Sequence, residues 1–134
     1  MSDDFKKNLD LALGNAKRLS NKILIDGKLI SAKSSNKIKV VNPSTGEKIG
    51  EAPQCDAHDV DTAVGSAETA FHKWKKIPAR ERGKMMTAAA RKLEDRRDEI
   101  ETLLALDTGN ALRTQAKPET AASIELTHMF AGLA

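Results

Sequence analysis

The chain has 134 residues, 40% of them hydrophobic and 31% charged, which excludes a disordered or fibrous chain and indicates one globular domain. Aromatic residues make up only 3% of the sequence, so the core is predicted to consist of aliphatic, Met and Ala side chains, as in packed helices. The formal net charge is +3, with a basic excess in residues 1–40. Those lysines are scattered among Asp, Leu and Ile and have one aromatic among them, so a solvated surface is expected and a nucleic-acid partner is not.

The single cysteine, Cys55, cannot form an intramolecular disulfide and has no second cysteine for a zinc ribbon or a redox motif. The first residues lack the continuous apolar stretch of a secretory signal. No segment approaches the roughly 20 apolar residues that a membrane span requires. A cytoplasmic protein without a membrane partner is therefore expected.

The first half of the chain predicts one helix and four strands. Apolar residues at helical spacing predict a short amphipathic helix over 5–19. Asp26-Gly27 predicts a tight turn between two strands within 23–30. A β-branched strand over 37–41 must end at Asn42-Pro43, and a returning strand is predicted over 48–52.

The second half is predicted to be helical. Asp56 has the character of an N-cap, with its carboxylate accepting from the amide near Asp59. The inward face of this helix is predicted to consist of Val60, Ala63, Val64, Ala67, Phe71 and Trp74.

The helix after that is predicted to begin at Pro78, to break or kink near 95–97 and to end at Gly109. A last helix from about Pro118 is predicted to use an apolar stripe made of Ala122, Leu126, Met129, Phe130 and Leu133. The fold class is thus α/β, and α+β within this chain: short hairpins followed by a bundle-like helical segment.

The candidate chemical groups have simpler structural interpretations. The cluster of Cys, His and Asp at 55–61 includes a helix first turn, where the side chains diverge and do not converge on a metal. His72 and His128 have no acid or nucleophile close in sequence and are interpreted as surface or packing groups. The carboxylates at 94–101 alternate with Arg and Lys, which predicts exposed ion pairs. No glycine-rich phosphate motif occurs, so no nucleotide site is assigned.

A resemblance to the aldehyde dehydrogenase superfamily is carried by several segments in consistent order. They are ILIDGK at 23–28, VVNPSTGEKIG at 40–50, DVDTAV at 59–64, AFHKW at 70–74, PARER at 78–82, LDTGN at 106–110 and FAGLA at 130–134. The similarity covers about 22–134, which would form the amino-terminal, incomplete part of the coenzyme domain. Residues 1–21 would be a variable arm or helix.

The resemblance implies an NAD- or NADP-dependent enzyme that oxidises an aldehyde to a carboxylic acid and forms a homo-oligomer. The family's nucleophile, general base and coenzyme-binding residues would lie beyond residue 134, so this segment alone is expected to be inactive and to bind no coenzyme. Some members hold a structural monovalent cation, for which Val41 and Asp107 are the matching candidates here, with helix capping the competing role of Asp107. Asn110 and Ala111 depart from the lysine and proline that the family commonly has, at a helix end.

Two other hypotheses remain open at this stage. Beside the amino-terminal part of such an enzyme, the first is a non-catalytic helical interaction module that reuses this segment. The second is a basic protein that binds RNA or DNA. The coding sequence beyond residue 134 distinguishes the enzyme from the interaction module. The enzyme predicts a glycine-rich coenzyme segment and a cysteine-containing catalytic segment there.

Overall fold

The computed structural model describes residues 3–134, which form a mixed α/β structure. In chain order the elements are α1 (Asp3–Leu19), β1 (Lys22–Ile25), β2 (Lys28–Ser31), β3 (Lys37–Val41), β4 (Lys48–Pro53), α2 (Ala57–Trp74), α3 (Ala79–Asp95), α4 (Arg97–Thr108), a π-helical turn (Leu112–Ala116) and α5 (Lys117–Leu133). The described strands form two separate two-stranded antiparallel sheets, β1–β2 and β3–β4. None of the helices within residues 3–134 is long and apolar enough to cross a membrane.

The amino-terminal helix forms as the spacing predicts, despite Gly14. α1 packs against α4 and also contacts β4. Its one fully buried side chain, Ala12, allows a close approach to its neighbours. Asn15 adds a polar link by donating from Nδ2 to Glu99 Oε1 over 2.6 Å. Residues 3–19 are therefore anchored to the helical part of the chain.

Both predicted hairpins are present. The β1–β2 turn places Asp26 and Gly27 at φ values of 52° and 70°, the left-handed pair that a tight two-residue turn requires. The β3–β4 connection is held by Asn42, whose Oδ1 accepts from the Ser44 amide at 2.9 Å and whose carbonyl accepts from Gly46 at 2.7 Å. β4 extends one residue beyond the predicted end, to Pro53.

The prediction that α2 packs through its apolar stripe is wrong. Val60, Val64 and Phe71 are 53%, 60% and 57% exposed. The helix instead turns the side that flanks the stripe, with buried Asp59, toward β1 and the loop that contains Lys33. No element within the described residues buries these three side chains.

The predicted interruption between the second and third long helices is confirmed. Arg96 has φ −111° and ψ 19°, outside the helical region, and separates α3 from α4. α4 is capped by Gly109, which has the left-handed φ of 74° and donates a hydrogen bond from its amide to the Ala105 carbonyl over 3.0 Å. This is the expected left-handed cap.

The predicted packing face of α5 is also wrong. The helix begins at Lys117, directly after a π-helical turn that the sequence did not reveal. Its buried side chains are Thr120, Ile124 and Ala131, whereas the predicted stripe is mostly exposed. α3 and α5 approach closely at Ala131: a Cβ added to Gly83 would lie 2.6 Å from the Ala131 carbonyl oxygen.

The hydrophobic core is small. The buried apolar residues within 3–134 are Ala12, Ile25, Ala90, Ala116, Ile124 and Ala131. Four of the six are alanines, so little apolar area is fully removed from water, and most of the larger apolar side chains are half-buried or exposed. Stability therefore depends strongly on a few close helix contacts and on partly buried polar groups.

Candidate functional site

The acidic cluster at the start of α2 is a helix cap. Asp56 Oδ1 accepts from the Asp59 amide at 3.0 Å, and Asp59 Oδ2 accepts from the Asp56 amide at 3.3 Å, a reciprocal capping box. The Lys33 amide donates to Asp59 Oδ1 over 3.0 Å and is the main reason that the pKa of this carboxyl lies below its usual value. Cys55 and His58 are exposed beside the cap. The capping prediction for Asp56 is confirmed.

The two histidines lie on different helices. His72 is exposed on α2, with Nε2 3.9 Å from Glu68 Oε1 one turn earlier. The statement that His72 has no acid close in sequence is therefore wrong, because positions four apart share a helix face. His128 is half-buried on α5. The exposure of His72 agrees with its interpretation as a surface group.

The prediction that the carboxylates of 94–101 are exposed is wrong for Glu99 and Glu101, which are buried. Glu99 is 8% exposed and accepts from Arg96 Nε at 2.9 Å and Arg96 Nη2 at 2.7 Å, besides Asn15. The bonds from Arg96 are the main cause that lowers the pKa of Glu99. Glu101 is 4% exposed and lies 3.8 Å from Lys117 Nζ. These groups join α4 to α1 and α5, which is a structural role.

The position of Glu99 on its helix is a sequence signal for its burial. Glu99 shares a helical face with Leu103 and Leu106, one and two turns further along. An acidic residue on the apolar side of a helix is expected to have a specific partner, because an unpaired buried charge is costly.

Glu51 is a second polar centre that sequence patterns did not indicate. Its carboxylate lies 2.5 Å from Lys48 Nζ and 3.3 Å from Lys37 Nζ, and it accepts from Asn21 Nδ2 at 3.0 Å. These donors, Lys48 foremost, lower the pKa of Glu51 to about 2. The centre joins the end of α1 to the β3–β4 sheet through residues that are far apart in the chain.

We expect the contribution of Glu51 to stability to depend on pH. Its folded pKa of about 2 lies below the ordinary value of 4.5, so the contribution is present above about pH 4.5 and is lost as the pH falls toward 2. Denaturant unfolding of the wild type and Glu51→Gln should show a difference near neutrality that shrinks in acid. Glu47→Gln, in the adjacent exposed turn, is the control and should track the wild type. A pH-independent difference for Glu51→Gln would contradict this account.

Val41 and Asp107, the candidate cation ligands, lie at the ends of β3 and α4, and both are exposed. The loop after Val41 reaches the end of α4: a Cβ on Gly109 would lie 2.8 Å from Pro43 Cγ. A small cavity of about 160 Å³ opens beside this junction, lined in part by Asn42, Gly109 and Asn110. The two segments are neighbours, and a cation between them stays a prediction.

Comparison with known proteins decides the family. A family model described as the aldehyde dehydrogenase family matches residues 29–134. The chain belongs to the aldehyde dehydrogenase family. The human cytosolic 10-formyltetrahydrofolate dehydrogenase is 32% identical over 117 residues, which are 86% of this chain and 13% of that protein. The mitochondrial benzaldehyde dehydrogenase of Antirrhinum majus is 34% identical over 116 residues, 85% of this chain and 22% of that protein.

Solved structures of the aldehyde dehydrogenase family show the same arrangement of elements. The NAD⁺ complex of betaine aldehyde dehydrogenase from Staphylococcus aureus superposes with a TM-score of 0.85 at 28% identity. The match covers 94% of this chain and 25% of that one. The chain thus spans a quarter or less of the length of each of these relatives.

The described residues do not themselves fit a nicotinamide dinucleotide. Such coenzymes bind where a strand of a parallel sheet leads into a helix N-terminus whose free amides meet the pyrophosphate. Both sheets described here are antiparallel, and the N-terminus of α2, which follows β4, already holds the carboxylates of Asp56 and Asp59. Two acidic groups at that position would repel a pyrophosphate.

Proposed function

We propose that this chain is the amino-terminal part of an NAD- or NADP-dependent aldehyde dehydrogenase that oxidises an aldehyde to a carboxylic acid. The observation that carries the proposal is the family match over residues 29–134 together with the same fold in an NAD⁺-bound relative. The enzyme is proposed to be cytoplasmic and homo-oligomeric.

Within that enzyme the chain serves as scaffold. The partly buried carboxylate of Glu51 and the buried carboxylate of Glu99 are occupied by ion pairs and hydrogen bonds that join the chain's own elements. Its α2 N-terminus is capped by its own carboxylates. The nucleophile and the coenzyme site are therefore assigned to sequence outside these residues.

The test is to express the complete reading frame that contains residues 1–134 and to measure NAD⁺ and NADP⁺ reduction with aliphatic and aromatic aldehydes. Coenzyme reduction that depends on both aldehyde and a cysteine outside residues 1–134 is the expected result. A reading frame without such a cysteine-containing segment, or a complete product that is inactive with all aldehydes, favours the non-catalytic interaction module instead.

The proposal includes a monovalent cation held by the main-chain oxygen of Val41 and the carboxylate of Asp107. Oxygen donors suit hard cations, and the carboxyl end of α4 is the negative end of its dipole. Replacing choline chloride by sodium or potassium chloride is expected to raise the unfolding midpoint of the wild type and not that of Asp107→Asn. Glu47→Gln is the matched control for the loss of one exposed carboxylate. An equal response in Asp107→Asn and the wild type contradicts this site.

A further inference from the structure

The α2–α3 corner, residues 71–84, carries the strongest local charge of the chain. It contains six Lys or Arg and one Glu, an excess of +5 that no stretch of this length elsewhere in the chain reaches. Lys84 Nζ lies 2.7 Å from Glu81 Oε1, so the one acidic residue is already paired. Four cations of the corner are exposed and form no ion pair within residues 3–134: Lys73, Lys75, Lys76 and Arg80. Their charge is free to attract an anionic partner.

Two aromatic rings are exposed beside these cations. Phe71 is 57% and Trp74 38% exposed, and a separation of three positions places their side chains about 60° apart around α2. The Lys75 ammonium lies 5.4 Å from the centre of the Phe71 ring. The lysines of residues 1–40, in contrast, have a single aromatic residue among them. Rings next to cations are what single-stranded nucleic acid requires, because bases stack on the rings and phosphates meet the cations.

Hydrogen bonds hold the backbone of the corner in place. The Lys76 amide donates to the Lys73 carbonyl over 3.1 Å. The Ile77 amide donates to the Trp74 carbonyl over 3.0 Å, and Arg82 Nη1 donates to the Ile77 carbonyl over 2.7 Å. No side chain caps the start of α3, so the positive end of its dipole adds to the charge of the side chains. The rings and cations are thus presented on an ordered backbone.

We propose that the α2–α3 corner binds single-stranded nucleic acid, with bases stacked on Phe71 and Trp74 and phosphates beside the four unpaired cations. An acidic protein segment would use the cations but leave the two rings without a stacking partner. An anionic membrane is disfavoured because Glu68 lies about 60° from Phe71 around α2, so an acidic side chain would face the lipid headgroups. The proposal is independent of the proposed enzymatic activity.

Fluorescence titration of the purified chain with an oligothymidylate of about 12 nucleotides tests the proposal, because Trp74 is the only tryptophan of the chain. Stacking on Trp74 is expected to quench its emission and to saturate, with a dissociation constant of roughly 10 to 100 µM at low salt. Three or four phosphate contacts predict that the logarithm of the binding constant falls with the logarithm of the salt concentration with a slope of about −2 to −3.

Variants separate a site at the corner from general attraction by charge. Lys75→Ala/Lys76→Ala is expected to weaken binding at least about tenfold. Lys28→Ala/Lys39→Ala removes the same charge from exposed strand positions and should stay within about twofold of the wild type. Phe71→Leu keeps an apolar side chain but cannot stack, and should weaken binding at least about fivefold in the anisotropy of a labelled oligonucleotide. Circular dichroism checks that each variant keeps the helical content of the wild type.

Several outcomes overturn the proposal. Emission that does not change at low salt, or quenching that never saturates, excludes the site. Equal losses in the two double variants show that binding follows net charge alone. Anionic vesicles or polyglutamate that bind the corner as tightly as the oligonucleotide assign it to another class of partner. A complete product of the reading frame that does not bind the oligonucleotide shows that sequence outside residues 1–134 covers the corner, and the proposal fails.

Discussion

Replacing Gly83 by Val is expected to lower the free energy of unfolding by about 3 kcal/mol, because α3 and α5 have no room for a side chain between them. A Cβ at this position would lie 2.6 Å from the Ala131 carbonyl oxygen, which belongs to the backbone and cannot rotate away. The two helices must separate, and the packing around Ala90 and Ile124 in the small core weakens with them. Urea unfolding followed by far-ultraviolet circular dichroism measures the loss.

Gly65→Val is the matched control for the helix position. Gly65 lies within α2, and a Cβ there would meet nothing within 4 Å. Valine is a slightly better helix former than glycine, so this variant should stay within about 0.5 kcal/mol of the wild type. Equal losses in the two variants would show that the effect is helix propensity and not the α3–α5 approach.

Glu99→Ala is expected to lower the free energy of unfolding by about 2 to 3 kcal/mol. The carboxylate is buried and accepts from both Asn15 and Arg96, so its removal leaves the Asn15 amide without its partner and loosens α1 from α4. Glu99→Gln keeps an acceptor for Asn15 and should lose less. Arg96 is mainly exposed and can return to water, which limits the total.

The control for this position is Glu94→Ala. Glu94 is exposed, and its carboxylate lies 3.7 Å from Arg97 Nη2. An exposed ion pair of this kind contributes little to the free energy of unfolding. A change within about 0.5 kcal/mol is expected.

The pKa of Glu99 is lowered in the folded state, mainly by Arg96, so the stabilisation is present above the ordinary pKa of 4.5 and is lost as the pH falls through the lowered value. A Glu99→Ala effect that persists unchanged in acid would contradict the ionic part of this account.

Local signals in the sequence predicted most of the secondary structure. Asp26-Gly27, Asp56 and Gly109 each act through backbone angles or amides within a few residues, and the structure confirms all three. The break at Arg96 followed from a dense run of charged residues. The π-helical turn before α5 had no comparable local signal.

The packing faces could not be predicted in the same way. An apolar stripe shows that a helix has a face suited to burial, but it does not show whether the covering element lies in the same segment. On α5 the buried side chains are Thr120, Ile124 and Ala131, and at Ala131 the glycine in α3 allows a close approach that a side chain would prevent. The stripe with Phe130 is left for another surface.

The long-range contacts of the two polar centres were missed because the partners are distant in sequence. Asn15 and Glu99 are 84 positions apart, and Asn21 and Glu51 are 30 apart. No local spacing links such pairs. The family resemblance, in contrast, depended on short turns and caps in order along the chain, and these are the features that local sequence determines.

Calorimetric titration of the 134-residue chain with NAD⁺ and with NADP⁺ tests the central claim most directly. The claim is that this segment has the family fold but supplies scaffold and no coenzyme site. The predicted result is no saturable heat with either coenzyme up to millimolar concentration, from a chain whose circular dichroism shows the helical content described above. Saturable binding at millimolar affinity or tighter, removed by a substitution within these residues, would contradict it.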